Sequence, residues 1–371
     1  MRGSETARKA PVDLALSSAE DFWRTLQDES VHLLVLDPPY HRVLAEDWDR
    51  QWATDDAYLE WLGGHLDEAR RVIAANGSLY LFSGAALSDR ISAELIRPRF
   101  SKLADVVWAK AEADLRRGDP RRTQWEAISK TGLRSWLPTT ERVIFAEHHG
   151  ADQVALDASG YASKCAGLRG SVFEPLRAYL DGERKAAGVS KAEVNGACGF
   201  SPTSGGMASR HYFSPSLWCL PTAEHYASMQ ELFNRQGGEH LRREYEDLRR
   251  EYEDLRRPFN VDATVPHSDV WTYATVPASP DRHPAEKPLD MIRDIINASS
   301  RPGDLVVDAF SGRATTACAC VDTGRAFRGC ERDPEIHEAA LDRIEKHLAL
   351  RDRRQVERRR TASGFDGPLF E

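Results

Sequence analysis

Two short apolar strands, each running into a chemistry-bearing turn, lie at opposite ends of this 371-residue chain, and their order restricts the sheet that can be built. Val31-His32-Leu33-Leu34-Val35-Leu36 reads as a parallel strand buried on both faces and closes in Asp37-Pro38-Pro39-Tyr40. Leu305-Val306-Val307 runs into Asp308-Ala309-Phe310-Ser311-Gly312-Arg313-Ala314-Thr315-Thr316. The first turn has the look of a site for an exocyclic amine, the second of a nucleotide-cofactor loop. Most nucleotide-binding folds place the glycine loop first. Here it comes second, so one sheet has to be assembled from both ends of the chain.

The pattern between and around these strands fits that reading. Asp55 to Ala75 is amphipathic, with Tyr58, Leu59, Leu62, Leu66, Ala69, Val72 and Ile73 at helical spacing and Asn76-Gly77 as its expected stop. Ser78 to Phe82, Ala104 to Trp108 and Arg142 to Phe145 are expected strands. From about 150 to 270 the alternation of strand and helix disappears. Ala187 to Val194 is similar there to the turn and second helix of a helix-turn-helix, with an ordinary helical hairpin as the alternative. Arg242 to Leu248 is repeated at once as Arg249 to Leu255. Two heptads are too few for a coiled coil and read as a duplication in a solvent-facing helix. Alternation returns with a helix over Leu289 to Ala298, a helix over Thr315 to Thr323, a strand over Ala326 to Cys330 and a helix over Pro334 to Leu348. The expected fold is therefore α/β, a doubly wound, mostly parallel sheet of Rossmann-like type with an inserted region.

Composition narrows the function classes. No apolar run approaches the roughly 18 residues of a membrane span, and no secretory signal opens the chain, so a cytoplasmic protein without membrane association is expected. The six cysteines lack Cys-x-x-Cys spacing and are read as reduced, and no metal site is expected. A net charge of −8 speaks against a nucleic-acid partner, whose affinity comes from lysine and arginine. Local charge differs: seven basic residues stand against four acidic ones from Lys110 to Arg134, and again from Tyr161 to Pro215.

The chemistry available to the two turns is specific. An exocyclic amine is a poor nucleophile because its lone pair is delocalised into the ring. The Asp37 carboxylate and the Pro38 carbonyl could each accept one N–H and draw the nitrogen toward tetrahedral geometry. The prolines fix φ and hold the preceding residue extended, so the carbonyl stays in place. On the cofactor side, a glycine after a strand lets backbone approach a ligand, and an acid ending the next strand receives ribose hydroxyls. Glu331 lies near the ~20-residue spacing of that fingerprint from Asp308.

Further segments add a resemblance: Trp48-Asp49, Tyr58-Leu59-Glu60-Trp61, His283-Pro284-Ala285-Glu286-Lys287-Pro288 and Gly329-Cys330-Glu331-Arg332-Asp333-Pro334-Glu335. With them the chain resembles the amino-methyltransferases of DNA, in the motif order of their beta class, over residues 10–148 and 268–348. The resemblance implies transfer of a methyl group from S-adenosyl-L-methionine to the N6 of a flipped adenine in double-stranded DNA. Asp-Pro-Pro-Tyr is commoner among adenine enzymes and Ser-Pro-Pro-Tyr among cytosine ones, so cytosine N4 is the runner-up. An inactive DNA-binding subunit is the alternative of another class, and the intact Asp37 to Tyr40 argues against it.

The resemblance also implies roles. Asp37, Pro38, Pro39 and Tyr40 would serve the amine, with Tyr40 stacking on the extracted base. Asp37, Lys287, Asp308, Phe310, Gly312, Thr315, Thr316 and Glu331 would surround the cofactor, Lys287 near its methionine end. A solvated lysine at a helix start is the bland reading of Lys287. The expected division is a first catalytic segment over 1–149, a target-recognition insertion over 150–268, a second catalytic segment over 269–350 and a flexible basic tail over 351–371. A homodimer and a restriction endonuclease on a separate chain are compatible partners. The final Leu369-Phe370 pair is similar to a degenerate form of the segment by which bacterial proteins dock on the replication sliding clamp, with packing on the protein's own surface as the alternative. Two departures stand out. The family loop usually reads Phe-x-Gly-x-Gly-Thr-Thr, whereas position 314 is Ala, which is expected to stay out of the left-handed region. The family's Gly-Asp before the first helix is replaced by Ser17-Ser18, so the contact from that aspartate is not expected.

Overall fold

The computed structural model describes residues 11–41, 50–110, 139–148, 161–202, 206–214, 218–256, 258–261, 268–276 and 286–362, without the side chains of 161–172 and 354–362. Trp48-Asp49, His283, the whole of the basic run after Lys110 and the Leu-Phe tail lie outside the described residues. Two compact units are formed, one from 1–148 with 258–371, the other from 149–257.

The first unit is a single eight-stranded sheet. Its strands are β1 Val12–Leu16, β2 Val31–Leu36, β3 Ile73–Gly84, β4 Ser101–Ala109, β5 Thr140–Glu147, β6 Val270–Trp271, β7 Leu305–Asp308 and β8 Ala326–Glu331. Across the sheet the order is β1-β8-β7-β2-β3-β5-β4-β6. Only β5 runs against its neighbours; the other pairings are parallel. β2 shows why this is a doubly wound sheet. Leu34 and Leu36 pack on one side with the helix Asp55–Val72, and Leu33 and Val35 on the other with the helices Leu289–Ser299 and Thr315–Thr323. Each is fully buried, a contribution of about 2 kcal/mol apiece.

Local chemistry sets the element ends. Thr54 caps the Asp55–Val72 helix, its hydroxyl accepting from the Ala57 N–H at 3.2 Å, with Asp55 and Asp56 in the first turn and Arg70 and Arg71 in the last. That helix stops three residues short of the Ala75 expected from its periodicity. Ile73 instead pairs with Val31, and the β2–β3 ladder shifts register before Leu33 meets Ser78. Apolar residues at a helix end suit either state, and the ladder decides. β4 and β5 are also longer than their expected cores, because their pairing runs past the apolar stretch, from Ser101 opposite Glu147 to Ala109 opposite Thr140. β1 and the short helix Ala19–Trp23 carry too weak a pattern to have been anticipated. The last helix, Pro334–Ala362, passes the expected end at Leu348, so residues 351–362 are helical rather than a flexible tail. That stretch is rich in Arg, Gln and Glu and meets no Gly or Pro before Gly364, so helix propensity continues.

The second unit is helical among its described residues: Tyr161–Ala186, Lys191–Ala197, Met207–Phe213, Ala223–Asn234 and Tyr245–Leu255. A turn forms where expected, with Gly188 at φ 65° and a reciprocal cap between Ser190 and Glu193 opening the Lys191–Ala197 helix. The duplicated heptad departs from the sequence reading. Its helix is not merely solvent-facing: Leu248 is fully buried, and Tyr252 packs on Phe173 and Trp218 with centroids 5.1 and 5.9 Å away. Leu248, Tyr252 and Leu255 share one helical face, which the repeat spacing enforces.

Candidate active site

β2 and β7 are neighbours, Leu33 opposite Val306 and Leu34 opposite Val307, and both strands end at the same edge of the sheet. Ligands of open α/β sheets bind in the crevice outside such carboxyl ends. Here the two turns line one cavity of about 400 Å³, large enough for a nucleoside-sized ligand. Asp37, Pro38, Pro39, Tyr40, Lys287, Asp308, Phe310, Gly312, Thr315, Thr316 and Glu331 all lie on its wall. Pairing of two strands thus brings together residues that are far apart in sequence.

Around Asp37 the charges form a connected cluster. Lys287 Nζ donates to Asp37 Oδ2 at 2.6 Å and lies 3.5 Å from Glu141 Oε2. The Tyr40 hydroxyl donates to Asp37 Oδ1 at 2.8 Å and reaches Glu141 Oε2 at 3.1 Å. Lys110 pairs with the other oxygen, Glu141 Oε1. Lys287 also stands over the rings of Tyr40 and Phe82, 5.2 and 5.3 Å from their centroids. At 7% exposure it is not a solvated helix-start lysine.

Burial and pairing oppose each other here. Burial pushes the Asp37 carboxyl up; Lys287 pulls it down without fully compensating, and Glu141 adds to the rise. Burial also acts to raise Glu141, but Lys287 and Lys110 outweigh it and hold the carboxyl below its ordinary range. For Lys287, burial favours the neutral form, and the two carboxylates overcome it and keep the ammonium. Burial and the same two anions push the Tyr40 phenol well up, so it stays protonated.

The second half of the cavity is built by the turn after β7. Asp308 Oδ1 accepts from the Phe310 N–H at 2.9 Å and Oδ2 from the Thr316 hydroxyl at 2.6 Å, tying the loop to the helix that follows. Burial pushes this carboxyl up to about 7, against those two hydrogen bonds. Ala314 contradicts the sequence expectation: it adopts φ 60° and ψ 39°, the left-handed region. Its N–H bonds Ser311 O at 2.7 Å and its carbonyl takes the Cys318 N–H at 3.1 Å, so turn closure and helix initiation impose the conformation. Gly329 shows how closely β8 approaches the loop. A Cβ there would sit 2.4 Å from Ser311 Oγ and 2.6 Å from Asp308 O.

Glu331 ends β8, with Oε2 on the Gly312 N–H at 3.0 Å and Oε1 on the Asp333 N–H at 2.9 Å. Phe310 and Trp61 form an aromatic wall with centroids 5.8 Å apart. Arg313 lines the cavity, and its Nε is buried with no hydrogen-bond partner. Ser18 is engaged in capping the Ala19–Trp23 helix, accepting from the Asp21 N–H at 3.2 Å. Glu20, from that helix, lines the cavity and receives the Trp61 indole N–H at 3.3 Å. Glu20 and Glu141 were not singled out from sequence, Lys110 entered only as the start of a basic run, and Arg313 only as a member of the loop without a role. Glu141 had one weak signal, a carboxylate just before the expected strand Arg142 to Phe145. Among the described residues no cluster of His, Cys, Asp or Glu is placed to hold a metal, and the five described cysteines are free thiols. No helix among them is long and apolar enough to cross a membrane.

The chain is similar to known proteins in sequence and in fold. The sequence profile of a family described as DNA methylase matches residues 31–342. The DNA adenine methyltransferase YhdJ of Escherichia coli strain K12 is 30% identical over 172 residues, 43% of this chain and 56% of that protein. The type II methyltransferase M.XycI of Xanthomonas campestris pv. cyanopsidis is 38% identical over 76 residues, 20% of this chain and 25% of its own length. The matched stretches therefore span about half of the first relative and a quarter of the second. Among solved structures, the M1.HpyAVI–SAM complex is similar at 15% identity and a TM-score of 0.45, covering 90% of this chain and 99% of that one. PvuII DNA methyltransferase (cytosine-N4-specific) is similar at 13% identity and 0.48, covering 94% and 95%.

Proposed function

The chain belongs to the DNA methylase family, and on that premise we propose that it transfers a methyl group from S-adenosylmethionine to the N6 amine of an adenine extracted from duplex DNA. The observation that carries the reading is the meeting of Asp37-Pro38-Pro39-Tyr40 and the Asp308–Thr316 loop on one cavity wall. The resemblance of the tetrapeptide to adenine enzymes and the named activity of YhdJ favour adenine over cytosine.

The cavity suits the cofactor. Arg313 Nε is an unsatisfied buried donor, which the cofactor's carboxylate would satisfy. Each Glu331 oxygen takes one backbone N–H and keeps a lone pair for a ribose hydroxyl. Phe310 and Trp61 offer faces to a planar base. When bound, S-adenosylmethionine supplies a methyl group activated on a sulfonium. Asp37 and the Pro38 carbonyl orient the amine and localise its lone pair, and Lys287 and Tyr40 fix the Asp37 carboxylate in advance. Target selection belongs, in this proposal, to residues 150–268, because reading base edges needs an element that projects into a groove.

The test is to incubate the protein with labelled S-adenosylmethionine and unmethylated duplex DNA, digest to nucleosides and identify the product. N6-methyladenosine is expected in its deoxy form. N4-methyldeoxycytidine would reassign the base while keeping the reaction class, and an unlabelled digest would overturn the proposal.

A further inference from the structure

Methylation of an amine leaves one proton too many on the nitrogen. If Asp37 takes it, the carboxyl must be cleared before it can orient another amine. The geometry points to a proton path that leads from Asp37 through the Tyr40 hydroxyl to Glu141 and out to solvent beside Lys110. This inference rests on the methyl-transfer reading and adds a role for Glu141, which acts through Tyr40 and not on the substrate.

Tyr40 is the link because one hydroxyl proton serves two carboxylates, 2.8 Å from Asp37 Oδ1 and 3.1 Å from Glu141 Oε2. The alternatives near Asp37 are closed. Lys287 is already an ammonium, able to donate but not accept. Asp308 is engaged by Thr316 and the Phe310 N–H. The groups facing the path are Asp37 and Tyr40 after β2, Lys287 before the Leu289–Ser299 helix, Lys110 after β4, Glu141 on β5 and Asp308 on β7. Exposure rises over the outer half of the path, from 11% at Glu141 to 39% at Lys110, and the Asp37 side chain, 23% exposed in the free protein, would be covered by a bound base.

Protons balance at each stage. The methylated nitrogen gives its surplus proton to Asp37, whose carboxylate becomes neutral. Asp37 passes a proton to Tyr40 Oη as the phenol's own proton moves to Glu141 Oε2, which leaves Asp37 ionised, Tyr40 neutral and Glu141 protonated. The Glu141 carboxyl then turns its protonated oxygen toward Lys110 and loses the proton to water there. In the resting state two carboxylates, Asp37 and Glu141, face two ammoniums, Lys287 and Lys110. The cluster holds one surplus proton during the passage and returns to that state.

The experiment follows methyl transfer and proton release together, in single turnovers with unmethylated duplex DNA, weak buffer and a pH indicator. In the wild-type protein the two are expected to coincide. Glu141→Gln keeps the packing but cannot relay, so methyl transfer should persist while proton release lags at least tenfold. Added imidazole, a small proton acceptor, should remove the lag. Proton release that keeps pace with methylation in Glu141→Gln overturns the path. So does loss of methyl transfer in Glu141→Gln, which would assign Glu141 a structural role only. If the wild-type protein itself methylates no DNA, the parent reading fails and takes the path with it.

Discussion

Asp308 is the residue at which position and chemistry conflict most. Its motif marks it as a cofactor-side acid, yet both oxygens are engaged inside the loop, and burial has pushed its carboxyl up to about 7. In an unfolded chain it would titrate near 3.8. The folded state therefore holds a proton that the unfolded state has released, and stability is lost as pH rises through that window. From pH 5 to pH 8 the loss from this group alone is about 3 kcal/mol, at 1.36 kcal/mol per unit of pH up to its folded value. Asp308→Asn cannot titrate, so its unfolding free energy should fall less over the same range. Urea titrations of both proteins at pH 5 and pH 8, without cofactor, measure this; equal pH slopes would remove Asp308 as the cause. Glu141 shows the other limit of residue-scale reading. A glutamate at the start of a strand reads as a solvated edge residue, and only the β3–β5–β4 pairing turns it inward toward Lys287.

At the scale of elements, β2, the helix Thr315–Thr323 and β8 were legible because each has one pattern and clear punctuation. The helix before β3 was not, since Ile73-Ala74-Ala75 satisfies both periods and the β2 ladder claims it. The loop before Thr315–Thr323 was misread for a related reason. Local preference says that Ala avoids a left-handed conformation, which costs about 1–2 kcal/mol. The loop's hydrogen bonds and the packing of a fully buried Cβ outweigh that preference. Ala314→Gly relieves the strain but removes a buried methyl group, worth about 0.8 kcal/mol, and gains chain entropy in the unfolded state. Its stability should stay within about 1 kcal/mol of wild type. Ala314→Val places a branched side chain in the same conformation with no room for it, and should lose about 2–4 kcal/mol. Denaturant unfolding of the two variants tests the account, and a Gly variant stabilised by more than about 2 kcal/mol would mean that the buried methyl contributes nothing.

For the whole molecule, the separation of the two turns is thermodynamically mild. Closing a loop of about 270 residues costs about 2 kcal/mol more than closing one of thirty, and the second unit folds a core of its own within that span. The proposed division, with reaction chemistry in one unit and target reading in the other, is therefore tolerable, and it bears on charge. A chain at −8 cannot attract duplex DNA by its total charge, so contact has to be local. In the second unit the Lys191–Ala197 helix has its best groups committed: Ser190 and Glu193 to the cap, Val194 and Asn195 to the interior. The helix Met207–Phe213 buries Ala208, Ser209, Tyr212 and Phe213 and turns Met207 and Arg210, one helical step apart, outward. An exposed methionine beside an arginine can fill a groove and bond a guanine edge bidentately, whereas Ser190 and Glu193 are already engaged with each other in the cap. Replacing Met207 and Arg210 together by alanine should change which sequences are methylated and leave cofactor affinity within about twofold, since each lost base contact is worth about 1–3 kcal/mol of discrimination. Sequencing of modified bases after reaction with the two proteins reads the preference, and calorimetry reads the cofactor. The same methylated sequences at undiminished rate would place the reading element elsewhere in the unit; a weakened cofactor with unchanged preference would show that this helix serves the site and not the target.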